Sequence, residues 1–149
     1  MKIISGGQTG IDRLALEIAK SLEHETGGTA PKDFRTEIGS DYSLQRRFGL
    51  VEGNTRSYPP RTWKNVADAD ATLWIGPGDT SGFLCTRTAC EALAKPFLVY
   101  EEKDADPLLT KTMLRSSGWT VINIAGPRGS RCSPGLTRFA KLFLLEILR

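Results

Sequence analysis

Ser5-Gly6-Gly7-Gln8-Thr9-Gly10-Ile11-Asp12-Arg13 follows a short apolar strand, Lys2 to Ile4, and opens a helix in which Ile11, Leu14, Ala15, Ile18, Ala19 and Leu22 recur with the 3.6-residue period. A strand, a glycine-rich turn and a helix together make an anion site. Gly6, Gly7 and Gly10 have no Cβ to hold a ligand away, and a helix N-terminus carries roughly half a positive charge, so phosphate is the natural guest. Gln8 and Thr9 add side-chain donors within the turn, and Arg13 on the first helical turn can reach an anion there. Asp12 suits a helix start as a capping acid. The same residues also read as a turn that simply needs glycine. Their spacing is neither Walker A nor GxGxxG, so neither a nucleoside triphosphate nor NAD follows from it.

Outward from this turn, strands and helices alternate. Gly28 to Pro31 reads as a short second strand. Residues 31 to 60 show neither period. They form an expected loop of about thirty residues, rich in Lys32, Arg35, Tyr42, Arg46, Arg47, Arg56 and Tyr58, whose basic and aromatic content suits either a lid over an anion or a solvated excursion. Pro59-Pro60 opens a helix over Arg61 to Ala69, and Ala71 to Ile75 is a buried strand. Gly76 to Gly82 is a second glycine-rich turn, leading to a helix from Phe83 to Ala94. Phe97 to Tyr100 is a strand, Pro107 to Ser117 a helix, Thr120 to Ile124 a strand, and a last helix starts near Pro134. Leu142 and Leu145 fall outside the apolar face of that last helix. This suggests either packing between subunits or a wide core face.

The alternation predicts one α/β domain over residues 1–149: a three-layer Rossmann-like fold with a mostly parallel sheet and helices on both faces. A length of 149 residues, 40% hydrophobic and 25% charged, fits that single core. The net charge of +3 is spread along the chain, with only Arg46 and Arg47 adjacent, which argues against a nucleic-acid partner. Cys85, Cys90 and Cys132 form no CxxC, and His24 is the single histidine, so neither a disulfide framework nor a metal site is expected. No apolar run approaches the roughly 20 residues of a membrane span. The expectation is a soluble, cytoplasmic protein with reduced thiols.

In an open parallel sheet, ligands bind outside the carboxyl ends of the strands. The opening turn, Lys32, the turn Gly76 to Gly82 and the stretch Ala125 to Ser130 should therefore meet in one crevice. Thr86 and Thr88 offer hydroxyls towards it, unless these bond to their own helix backbone. Arg61 and Asn65, one turn apart, would serve as anion clamp and hydrogen-bonding reader, or as part of a solvated face. No catalytic set emerges. His24 lies at the far end of its helix, no carboxylate pair has acid/base spacing, Asp79 reads best as a turn former, and Cys85 has no base beside it.

Four stretches then carry a family resemblance: Ile3 to Arg13; Pro31-Lys32; Arg61-Thr62-Trp63-Lys64-Asn65-Val66 running into Asp68-Ala69-Asp70-Ala71-Thr72-Leu73; and Asn123-Ile124-Ala125-Gly126-Pro127-Arg128. Together they resemble the molybdenum cofactor carrier family of the SLOG superfamily, Rossmann-like ligand binders that include the lonely-guy phosphoribohydrolases. The resemblance implies a homo-oligomer, dimer or tetramer, with a pocket for molybdenum cofactor (molybdopterin). It implies binding residues Gly6, Gly7, Gln8, Thr9, Gly10, Lys32, Arg61, Thr62, Asn65, Gly82, Thr86 and Arg128. The chain departs from its relatives at Ser81-Gly82-Phe83, where they tend to have Gly-Gly-Thr, at Thr29-Ala30 before the proline, and at Leu44-Gln45-Arg46. Laid on the lonely-guy motif, Thr86 stands where the glutamate for N-glycosidic cleavage would be. A carrier without chemistry is the leading expectation. A sensor of a nucleotide or ADP-ribose-like ligand and a lonely-guy-like hydrolase are the alternatives. Stacking from Trp63, Tyr42 or Tyr58 would suit pterin and adenine alike.

Overall fold

A computed structural model describes residues 1–149. Its elements are β1 (Lys2–Ile4), α1 (Ile11–Ser21), β2 (Glu25–Gly27), β3 (Thr29–Ala30), β4 (Arg35–Thr36), β5 (Gly39–Ser40), α2 (Ser43–Phe48), β6 (Val51–Glu52), α3 (Tyr58–Asp68), β7 (Ala71–Ile75), α4 (Ser81–Ala92), β8 (Phe97–Tyr100), α5 (Pro107–Ser116), β9 (Val121–Ala125) and α6 (Pro134–Leu148). Five strands form one sheet in the order β2-β1-β9-β7-β8, and every pairing in it is parallel. Register sets Ile3 beside Ile122 and Leu73 beside Ile124, so large β-branched and leucine side chains line up on one face. Against that face α1, α5 and α6 bury Ile11, Ala15, Leu114, Phe143 and Leu144. On the other face α3 and α4 pack over a smaller cluster of Val66, Ala89 and Cys90. The fold is the expected Rossmann-like α/β sandwich.

Strand order locates the ligand crevice. A doubly wound sheet runs 3-2-1-4-5-6 and takes its ligand where the order reverses, between the first and fourth strands. In this chain the final strand, β9, holds the central place of the first, with β1 and β2 to one side and β7 and β8 to the other. The switch point therefore lies between β9 and β7. The loops leaving these two strands are in contact: a Cβ at Gly76 would meet Pro127 Cδ at 2.8 Å.

Two sequence expectations are corrected. The strand expected at Gly28 to Pro31 is β3, which pairs with β6 outside the main sheet, and the strand that joins the sheet is β2, just before it in residues where none was expected. Gly28 divides them with φ +124°, and a Cβ there would overlap the Ser5 carbonyl oxygen. Residues 31–60 are also not a structureless loop. They contain a 3-10 turn, the β4–β5 hairpin, α2 and β6, and they fold onto the back of α1 through a cluster of Leu16, Ala30, Phe34, Leu44, Phe48 and Leu50. Elements of two to six residues are too short to display a period, and the apolar residues that anchor them meet only in space.

Helix α3 starts at Tyr58, three residues before its expected first residue, because Pro59 and Pro60 occupy its first turn. In α6, Leu145 packs against the main core, whereas Leu142 is 63% exposed, so only the second of these lies outside the buried face. No helix is long and apolar enough to cross a membrane, and the three cysteines are unpaired.

Candidate functional site

At the switch point a cavity of about 260 Å³ opens between the loops after β7 and β9, the N-terminal turn of α3, and the start of α1. This is near the small end of ligand sites, about 300 Å³ upward, so a ring or one charged group fits inside while the remainder of a ligand extends towards solvent. Three guanidinium groups, from Arg61, Arg128 and Arg131, and one carboxylate, from Asp12, are in its lining. The balance is cationic. Tyr58 and Trp74 add aromatic surface, and Thr62, Thr80, Ser81 and Thr86 add hydroxyls.

Arg61 is the best-defined member. Helix α3 carries it over the opening turn, where its guanidinium fills the volume that a Cβ on Gly6 would need. Its Nη1 lies 3.6 Å from Asp12 Oδ2, an ion pair too long for a hydrogen bond, and its face lies 5.5 Å from the Tyr58 ring centroid. Its Nε is buried and has no hydrogen-bond partner. A buried donor left unpaired is costly, and a ligand acceptor is one way to satisfy it. Asp12 is 3% exposed. Burial pushes its carboxyl above the ordinary range, opposed by the Arg61 charge and by the N–H groups of Gln8 and Gly126.

Helix α4 presents its N-terminus to the same space. Thr80 is its cap and accepts the Phe83 N–H at 3.1 Å, so Ser81 and Gly82 occupy the first turn at the cavity wall. Thr86 also lines the wall, yet its Oγ1 donates to the Gly82 carbonyl at 2.8 Å, the backbone bond weighed from sequence. Cys85 stands beside them, its thiol pushed up by burial against the opposing influence of Arg61 and Thr62.

Of the residues singled out from sequence, Gln8, Arg61, Thr62, Gly82, Thr86 and Arg128 come together in the lining. Others are placed elsewhere. Gly7 faces Leu44 and Leu50, with Leu50 Cδ2 2.6 Å from where its Cβ would be, and Gly10 packs against the backbone of Pro127 and Gly129. Thr9 Oγ1 donates to Glu37 Oε1 at 2.5 Å and accepts from Gly129 N at 3.0 Å. Lys32 is exposed and outside the lining. Asn65 is buried against β3, accepting from Thr29 N at 2.8 Å and donating to Thr29 O at 3.0 Å. Arg13 is committed to the Gly7 carbonyl at 3.1 Å and to Asp41 at 3.2 Å.

Thr80 and Ser81 lie in the turn expected at the crevice, whereas sequence reasoning passed over Trp74 and Arg131. Arg131, three residues beyond Arg128 in a glycine-rich loop, was the one with a visible signal; Trp74 read only as part of a buried strand.

Comparison with known proteins follows the same lines. The sequence model described as "Circularly permutated YpsA SLOG family" matches residues 3–148. Among solved structures, the chain is similar to a "Putative molybdenum carrier protein" from Syntrophus aciditrophicus, with 35% identity and a TM-score of 0.83, covering 99% of this chain and 93% of that one. No curated protein matches.

Proposed function

Because the chain belongs to the circularly permuted YpsA SLOG family, we propose that it binds a phosphorylated heterocycle, molybdenum cofactor first among them, in the cavity between β7 and β9, and protects or delivers it without chemical change. The observation that carries this reading is the buried, unpartnered Nε of Arg61 in a cavity lined by three guanidiniums and a single carboxylate. An anion supplies the missing acceptor. The phosphate is assigned to the first turn of α4 at Ser81 and Gly82, within reach of Arg61, where exposed backbone N–H groups and the helix dipole favour negative charge. Arg128, Arg131 and Gln8 then orient the remainder. In this reading Gly6 and Gly10 serve the site indirectly, by letting Arg61 and the β9 loop approach the opening turn, while Gly7 makes room for Leu44 and Leu50. The name of the solved neighbour, a molybdenum carrier, supports a cargo that contains molybdenum.

A nucleotide or ADP-ribose-like ligand would use the same cations, and that is the second reading. The hydrolase reading has less support: position 86 is a threonine whose hydroxyl is bonded to its own helix, and Asp12 is tied to Arg61 and backbone N–H groups. Calorimetric titration under anaerobic conditions with molybdenum cofactor, AMP and ADP-ribose separates the three. The cofactor is expected to bind most tightly and to be recovered intact. Binding of AMP or ADP-ribose without binding of the cofactor would favour the sensor, and release of free base would favour the hydrolase.

The protein is further proposed to work in the cytoplasm as a homo-oligomer. Leu108, Leu109 and Leu142 on α5 and α6 are 70%, 67% and 63% exposed, an apolar load that a second copy would cover. Light scattering is expected to give at least twice the 16.3 kDa chain mass, and a monomer at working concentration would remove this part of the reading.

A further inference from the structure

Thr9 and Ser130, next in sequence to the cavity-lining Gln8 and Arg131, are already engaged by a carboxylate from the chain itself. The β4–β5 hairpin carries Glu37, whose Oε1 accepts from Thr9 Oγ1 at 2.5 Å and from Ser130 N at 2.9 Å, while Oε2 accepts from Ser130 Oγ at 2.6 Å. The Glu37 N–H donates in turn to Gln8 Oε1 at 2.9 Å, and Gln8 is in the cavity lining. Gly129 leaves room for this contact, since a Cβ there would stand 3.3 Å from the Glu37 carboxylate and 3.1 Å from Thr9 Oγ1. Burial, the largest single influence, opposes ionisation of Glu37, but the bonds from Ser130 and Thr9 and the Arg128 charge together outweigh it and hold the carboxyl below its ordinary range. Past Glu37 the tip of the hairpin faces outward, with Ile38 82% exposed.

Position makes this contact more than a surface clasp. The loop that holds Glu37 follows β9, the strand in the central place of the first strand of a doubly wound sheet, and it leads to the N-terminus of α6. In such sheets that loop receives the pyrophosphate of a ligand. Here its Ser130 N–H and hydroxyl hold a carboxylate instead.

We propose that Glu37 is a tethered stand-in for a second anionic group: a ligand with one phosphate, held at Ser81 and Gly82, leaves it in place, and a ligand with a longer anionic chain must displace it. The proposal rests on the assignment of the cavity as an anion site. Glu37 thereby sets selectivity by charge, reducing the pull of Arg128 and occupying donors that a second phosphoryl group would use.

Inorganic phosphate and pyrophosphate serve as probes in calorimetric titrations of the full chain, its Glu37→Gln variant and its Glu37→Ala variant. Wild type is expected to bind both, with pyrophosphate gaining about tenfold in affinity in Glu37→Ala, less in Glu37→Gln, and phosphate changing by no more than about twofold. Hydrogen exchange of residues 35–40 in the wild type is expected to quicken with pyrophosphate and not with phosphate. Phosphate binding with an unchanged phosphate-to-pyrophosphate ratio in both variants would overturn the stand-in while leaving the anion cavity intact. Parallel weakening of both probes would make Glu37 a supporting residue and overturn it likewise. Failure of either anion to bind any of the three proteins would overturn both readings.

Discussion

Arg61→Ala is expected to weaken an anionic cavity ligand by about 1.5 to 3 kcal/mol, roughly ten- to 150-fold in Kd, the usual cost of removing one charge-assisted hydrogen bond. The substitution removes the cavity-lining guanidinium whose buried Nε has no hydrogen-bond partner, and it leaves the Ser81–Gly82 turn of α4 without its neighbouring cation. The fold should survive. Asp12 loses its counter-charge, but burial already raises its carboxyl, so protonation relieves the unpaired state. Arg61→Lys should recover part of the affinity, because it restores charge without the planar fork. Calorimetry with the wild-type ligand reads both variants, and an affinity unchanged in Arg61→Ala would remove this residue from the site.

Asn65→Ala should do the reverse, costing stability while sparing affinity. Its side chain bridges both backbone groups of Thr29 at 2.8 and 3.0 Å, fastening α3 to β3 in a setting where Asn65 is 2% exposed. Truncation forfeits two hydrogen bonds and leaves a buried N–H and C=O unpaired, about 2 to 4 kcal/mol in all. The expected result is a lowered urea midpoint with an unchanged slope, and ligand affinity close to wild type in the protein that remains folded. Unaltered stability with lost affinity would instead return Asn65 to the role of ligand reader.

These two residues mark how far the sequence could be read. Arg61 and Asn65 stand four positions apart on one helix, and from sequence both look like polar groups aimed at a crevice. What separates them is the partner each finds: β3 lies against Asn65, while Arg61 reaches over the opening turn. No local pattern encodes such neighbours. The glycines make the same point. Gly6 and Gly7 are identical as text, yet one accommodates an arginine of the site and the other two leucines of a satellite core.

Element types were legible where periodicity had room to act, as in α1 and in β7, the latter buried along its whole length. The order of strands was not legible, because alternation predicts a parallel sheet without saying which strand lies at its centre. That order mattered most for the site. It moves the weight of the anion cavity from the opening turn to the loops after β7 and β9, and so brings in Trp74 and Arg131. Residues 31–60 stayed opaque for a different reason. Phe34, Leu44, Phe48 and Leu50 are core residues of elements too short to have a period, and their common partner, Leu16, lies on α1.

The central claim is that this cavity carries an intact phosphorylated heterocycle, with molybdenum cofactor as its cargo. Native mass spectrometry of the protein purified without oxygen from cells that make the cofactor tests it most directly. The account predicts an added mass equal to molybdopterin, with or without its metal, present on the wild-type protein and lost from Arg61→Ala. An adenine nucleotide in its place, or the cofactor retained equally by the variant, would contradict it.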